Sequence, residues 1–198
     1  TSGQISSFST ADIKAMTTDQ VQAFTSAQIN MISVAQLQAM RTDEVAALTT
    51  SNFAVISPGR IAGLSTTALQ ALTTTQVASF TGSQVGALTT AQAHTLTSSQ
   101  IAVLTTDQVQ SLLTSQLNSL STAQVAGMTT KQVIALTTDQ FSNLGTKQLT
   151  ALTAKQVAVM ETDDLQSLTT AQVAAMTTAQ VVALTTDQVV ALTTDQIS

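Results

Sequence analysis

Apolar residues recur along the chain at two fixed places in an eight-residue frame. With positions numbered 1 to 8 from Thr1, position 5 holds Ile5, Ile13, Val21 and onward to Ile197, and position 8 holds Phe8, Met16, Phe24 and onward to Leu192. Every residue at these two positions is apolar, and all five Phe fall on them. The frame covers residues 1–198 as twenty-four octads and a six-residue remainder, without insertion or deletion. So regular a repeat overrides a domain count based on length. Residues 1–198 are therefore expected to form a single array, a segment of a longer repeat protein.

The polar positions predict what each octad does. Positions 1 and 2 are Thr or Ser in twenty-one copies each, and position 4 is Gln in nineteen of twenty-five. Thr/Ser-x-x-Gln is a capping box, in which hydroxyl and Gln side chain satisfy the first backbone donors of a helix reciprocally. Position 8 of one copy and position 5 of the next then form a hydrophobic staple across the helix start. Ten of the eleven acids sit at positions 3 and 4, near the positive end of the helix dipole. The one Pro, Pro58, falls at position 2, the first helical residue, behind Ser57 as cap. Position 7 is mostly Ala, Ser or Gly, which suits a close backbone approach, whereas position 6 varies freely and is expected to be exposed.

Each octad thus encodes a helix of about two turns over positions 2 to 8, ended by the cap of the next. In one unbroken helix at about 100° per residue, the apolar stripe would drift about 80° per octad and never face one partner. A thin β-solenoid is the alternative, since Thr and Val favour strands. Against it, positions 5 and 8 have opposite parity and would point to opposite faces of a strand. Seven Gly and one Pro are also too few to turn a rung every few residues. The expected fold is all-α: a right-handed superhelix of short helices, with two or three copies per turn. One octad buries too little apolar surface to offset its conformational entropy, so stability has to come from stacking on neighbours.

Composition narrows the function. Charged residues are only 9% of the chain, so its polar surface is Thr, Ser and Gln. A net charge of −5 with six dispersed basic residues lacks the electrostatic footprint of nucleic-acid binding. There is no Cys, and no run approaches the roughly 20 apolar residues of a membrane span. Thr1-Ser-Gly-Gln lacks the features of a signal peptide, so targeting signals are expected outside this segment. The weakest copies, around residues 49–64, keep phase and are expected to reflect drift within the array.

Candidate chemistry is sparse. His94, the single His, stands at the variable position 6 with no second His to share a metal or a proton. Asp43-Glu44 and Asp163-Asp164 are adjacent acids whose side chains diverge on a helix, and no calcium-loop pattern is present. Lys131, Lys147 and Lys155 share position 3 with Asp107, Asp139 and Asp163, a mixed-sign edge suited to solubility. No Ser/His/acid set or phosphate loop can be drawn. The expectation is a protein without catalytic, cofactor-binding or metal-binding residues, and not an enzyme. Capping accounts for the Thr of position 1. The row at position 2, including Thr170 and Thr178, is left as a candidate surface for glycan, ice or O-linked sugar.

Leu184 to Leu192, L-T-T-D-Q-V-V-A-L, resembles the opening helix of a TAL-effector repeat over nine residues, but no 34-residue unit, base-reading loop or basic groove accompanies it. Across its whole length the chain resembles the tandem T-T-x-Q-V-x-A-L arrays of very large bacterial secreted or cell-surface proteins of adhesin type. That resemblance implies export, a role as stalk or spacer, and partners that are neighbouring repeats or domains of the same protein. Three expectations follow: an extracellular spacer or filament component, a repetitive Thr-lined binding surface, and a subunit that self-associates end to end.

Overall fold

A computed structural model describes residues 5–197 of the chain; Thr1, Gln4 and Ser198 of the expected pattern lie outside them. Among the described residues the architecture is all-α, a solenoid of twenty-three short helices, one per octad, followed by a 3-10 helix at Thr194–Gln196. The helices are shorter than two turns. They start at position 2 and run four to six residues, as in Ser26–Ile29, Thr106–Gln110 and Thr42–Ala47.

In the six-residue helices position 8 is the C-cap. The Leu48 amide closes back on the Val45 carbonyl at 3.2 Å, and the Leu48 backbone then turns extended, with φ −61° and ψ 140°. Thr49 follows in the same region, with φ −77° and ψ 161°, and caps the next helix. Where a helix runs to position 7, as here, two extended residues reverse the chain, and no described residue has a positive φ. This turn needs no glycine, which explains how Thr and Leu can occupy it throughout.

Each helix packs on the third one further along the chain. Thr18–Gln22 lies on Thr42–Ala47, Thr90–Thr95 on Thr114–Ser119, and Thr138–Ser142 on Thr162–Ser167. Side-chain bonds between turns join residues 25 and 28 apart, so one turn takes just over three octads. Positions 5 and 8 form one continuous core, which includes Ile13, Phe53, Leu69, Leu120 and Leu165. Phe53 and Phe80 meet across a turn boundary with ring centroids 5.5 Å apart and tilted by 48°, a favourable aromatic geometry. Position 3 is exposed in every copy from Ala11 to Asp195, so the solvent face is built from the start of each helix. No helix among the described residues is long and apolar enough to cross a membrane.

Candidate functional site

The residue that organises this fold is the Gln at position 4. In the octad starting at Thr129, the Gln132 amide donates to Thr129 Oγ1 at 3.2 Å, and Gln132 Oε1 accepts from the Thr129 amide at 2.8 Å. That is the expected capping box, and it recurs from Ser9 to Thr185. The Gln side chain is buried, however, and its other end is equally engaged. Gln132 Nε2 donates to the Ile101 carbonyl at 2.7 Å and to the Leu104 carbonyl at 2.8 Å, 31 and 28 residues earlier.

Wherever position 4 is Gln, from Gln36 onward, the turn is joined to the one below in this way. The same Nε2 bonds run from Gln36, onto Ile5 and Phe8, to Gln196, onto Leu165 and Leu168. The carbonyls used lie at the end of a helix; that of position 5 already accepts the position-8 amide three residues on, as Ile101 does from Leu104, and takes the Gln on its second lone pair. One amide thus caps the start of its own helix and the end of another four copies back. The chemistry fixes which atom is which, because Oε1 faces an N–H and Nε2 faces two carbonyls.

Six copies depart from Gln at position 4, and five of the six have a local physical account. Asp12 lies in the second octad, exposed, where it accepts from the Ser9 amide at 2.8 Å and no described turn lies beneath it. The hydrogen bonds from Ser9 hold its carboxyl below the ordinary carboxylate range. Asn52 is a shorter version of Gln: Oδ1 accepts from the Thr49 amide and Nδ2 donates to the Phe24 carbonyl, both at 3.0 Å. Arg60 reaches the Asn30 carbonyl at 2.6 Å through Nη1.

Glu44 cannot donate when ionised, and the donors come instead from position 1 of its own copy. Arg41 bonds the carbonyls of Lys14 and Met16 and pairs with Asp43 at 3.1 Å. Its Nη1 also stands 3.1 Å from Glu44 Oε1, an ion pair without hydrogen-bond alignment. Asp164 is buried and accepts from the Thr138 hydroxyl at 3.0 Å. Burial raises its carboxyl above the ordinary value, the Thr138 bond partly opposes this, and the charges of Glu161 and Asp163 add to it. Ala68 brings no donor at all, and nothing in the structure explains it.

The residues singled out from the sequence fall into this frame. His94 is exposed, as expected of position 6, but its Nδ1 is 2.7 Å from the Ser119 carbonyl one turn above. Gln70, Asn118 and Gln166 make the same upward link to the carbonyls of Thr95, Asn143 and Ala191, so position 6 is a second tie between turns. The acid pairs diverge, with Asp43 and Asp163 exposed and Glu44 and Asp164 buried. Lys131, Lys147 and Lys155 are exposed at position 3. Thr170 and Thr178 are exposed, yet elsewhere the position-2 row serves stacking: Ser98 Oγ donates to the Ala123 carbonyl at 3.1 Å.

Pro58 does occupy the first helical position, but Ser57 makes no side-chain cap. The Arg60 amide instead bonds the Ser57 carbonyl at 2.9 Å. At Gly145, which replaces the capping Thr, a Cβ would come within 2.8 Å of Gln148 Oε1. Asn118 Oδ1, reaching up from the turn below, accepts the Gly145 amide at 2.6 Å in place of the Gln.

A tandem repeat in which one amide serves both the cap and the stacking defines a structural repeat protein. The family model described as ALTTAQ repeat matches residues 1–32, 53–90, 82–114, 112–146 and 157–194, and the chain belongs to that family. A search of curated proteins finds no match. In the longer of the two internal unmatched stretches, 33–52, the helices continue in phase, at Val34–Ala39 and Thr42–Ala47, with Arg41 and Glu44 in place of the usual Thr and Gln.

Proposed function

We propose that the chain serves as an extended spacer or stalk, outside the cell or at its surface, in a bacterial protein of adhesin type. Its length is set by the number of octads, and it is not an enzyme. The observation that carries this is the recurrence of Gln-to-carbonyl bonds between turns at every position-4 Gln from Gln36 to Gln196, with phase kept through the substituted copies 44–68 and 164. Positions 4, 5 and 8 are committed to stacking one turn on the next, so adding octads lengthens the stack and leaves its cross-section unchanged. Its partners are the neighbouring repeats or domains of the same protein, with neither nucleic acid nor a membrane interior among them.

Small-angle scattering on the chain and on a variant lacking the three octads 105–128 tests this reading. The expected result is a shorter particle of the same cross-sectional radius. A compact particle that shrinks equally in all directions would refute it. Binding of glycan or an ordered surface along the Thr rows is the weaker alternative, because Ser26 and Ser98 of that row turn their hydroxyls to the next turn.

A further inference from the structure

Side-chain bonds between turns are unevenly distributed, and they thin out on the seam between residues 13–40 and the turn above them. Four successive copies, with Glu44, Asn52, Arg60 and Ala68 at position 4, carry no Gln. One turn takes just over three octads, so the lower surface of a whole turn lacks the usual amides. What replaces them is partial. Asn52 serves one carbonyl of its pair, that of Phe24, at 3.0 Å. Arg60 serves the Asn30 carbonyl in place of those of Ile29 and Ile32. Arg41 serves Lys14 and Met16 at the surface, where water competes for the same groups. Ala68 offers nothing to Leu37 and Met40. In the next turn up, by contrast, Gln84, Gln92 and Gln100 each reach both carbonyls of their pairs.

Two helices above the seam are also poorly capped. Ser57 makes no side-chain cap for Pro58–Ile61, and Thr66–Ala71 has only the Ser65 half of the box, at 3.1 Å. The apolar core nevertheless continues across, with Ile32, Leu37, Phe53 and Ile61 buried. Hydrophobic contact is non-directional, so it holds the two turns together without fixing their register as the paired amides do elsewhere.

We propose that this seam is a joint built into the array, where the stack opens between residues 13–40 and 41–72 while turns tied by Gln stay closed. A solenoid with such a joint bends or yields at a set place along its length. The proposal stands on the bonds between turns and not on the spacer role, which is judged on the cross-section of the particle. Met40 and Met128 report the difference. Both stand at position 8 and are equally buried, at 6% exposure each. The Met128 carbonyl receives Gln156 Nε2 at 2.8 Å, whereas the Met40 carbonyl has Ala68 in the place of that Gln.

The test is the initial rate at which dilute hydrogen peroxide converts each Met to its sulfoxide in the folded 198-residue chain, followed by peptide mass spectrometry. Met40 should react at least about tenfold faster than Met128, in keeping with one or two missing hydrogen bonds. Asn52→Gln with Ala68→Gln restores the amides, and should slow Met40 by about tenfold while leaving Met128 unchanged. Gln140→Asn with Gln156→Ala sets the same defect far from either end of the chain, and should speed Met128 by about tenfold. Circular dichroism shows that each variant is folded. Equal rates for Met40 and Met128 in the wild type, a repaired chain in which Met40 reacts as fast as before, or a Met128 unmoved by the interior pair would overturn the proposal.

Discussion

Gln132 Nε2 lies 2.8 Å from the carbonyl oxygen of Leu104, one turn below, while the same side chain accepts the amide of Thr129. This relationship explains a choice that capping alone leaves open. Glu fills a capping box as well as Gln does, and it is favoured by the helix dipole. A carboxylate facing two buried carbonyls has nothing to donate, and it is therefore rare at position 4.

Ala68 marks a slot where this bond is missing. The Leu37 and Met40 carbonyls, 31 and 28 residues earlier, receive no Gln. Ala68→Gln should supply a donor for them and an acceptor for the Ser65 amide. The expected gain is about 1 kcal/mol, the net worth of a buried hydrogen bond, measured as a higher urea midpoint at unchanged slope.

Asp164 is the buried acid of the ladder, and its carboxyl is raised by burial. A folded-state value above the unfolded one means that the neutral form is favoured in the folded chain, so this residue costs stability as pH rises through the raised value. Asp164→Asn should therefore stabilise at neutral pH, with its amide donating to the Leu136 carbonyl as Asn52 does to Phe24. The advantage should shrink on acidification and vanish below the ordinary value of 3.8. Thermal melts of the two proteins from pH 7 to pH 3 measure the difference.

The two Thr rows should respond differently. Thr169 Oγ1 accepts the Gln172 amide at 3.2 Å, and Thr169→Ala should cost about 1 kcal/mol, as the loss of an N-cap does. Thr170 is exposed at the first helical position, and Thr170→Val should change stability by less than about 0.5 kcal/mol. Denaturant unfolding of both variants makes the comparison. If Thr170→Val cost as much as Thr169→Ala, position 2 would have a structural role that its exposure does not indicate.

Much of the fold was legible in the sequence because the octad states its local geometry twice, in the cap and in the apolar pair. Helix starts, the core at positions 5 and 8 and a mostly exposed position 6 follow from residue type alone. Helix length was overestimated, since position 8 looks helical in pattern but its backbone is extended, as at Leu48. The contacts across turns were not legible, because they depend on the number of octads per turn, which no single octad encodes. The signal that could have revealed them was the excess of Gln over Glu at position 4, together with Arg41 appearing in the same copy as Glu44.

Gln132→Glu tests the central claim, that the position-4 amide holds one turn to the next, most directly. The variant retains the acceptor for the Thr129 amide and loses only the donor to Ile101 and Leu104. If the side chain serves stacking, unfolding at neutral pH should become easier by roughly 3 kcal/mol or more, the cost of a buried and unpaired charge. Part of that loss should return on acidification, as the carboxyl gains a proton to donate. A variant as stable as the wild type, or more stable, would show that the residue serves only as a helix cap and would contradict the account.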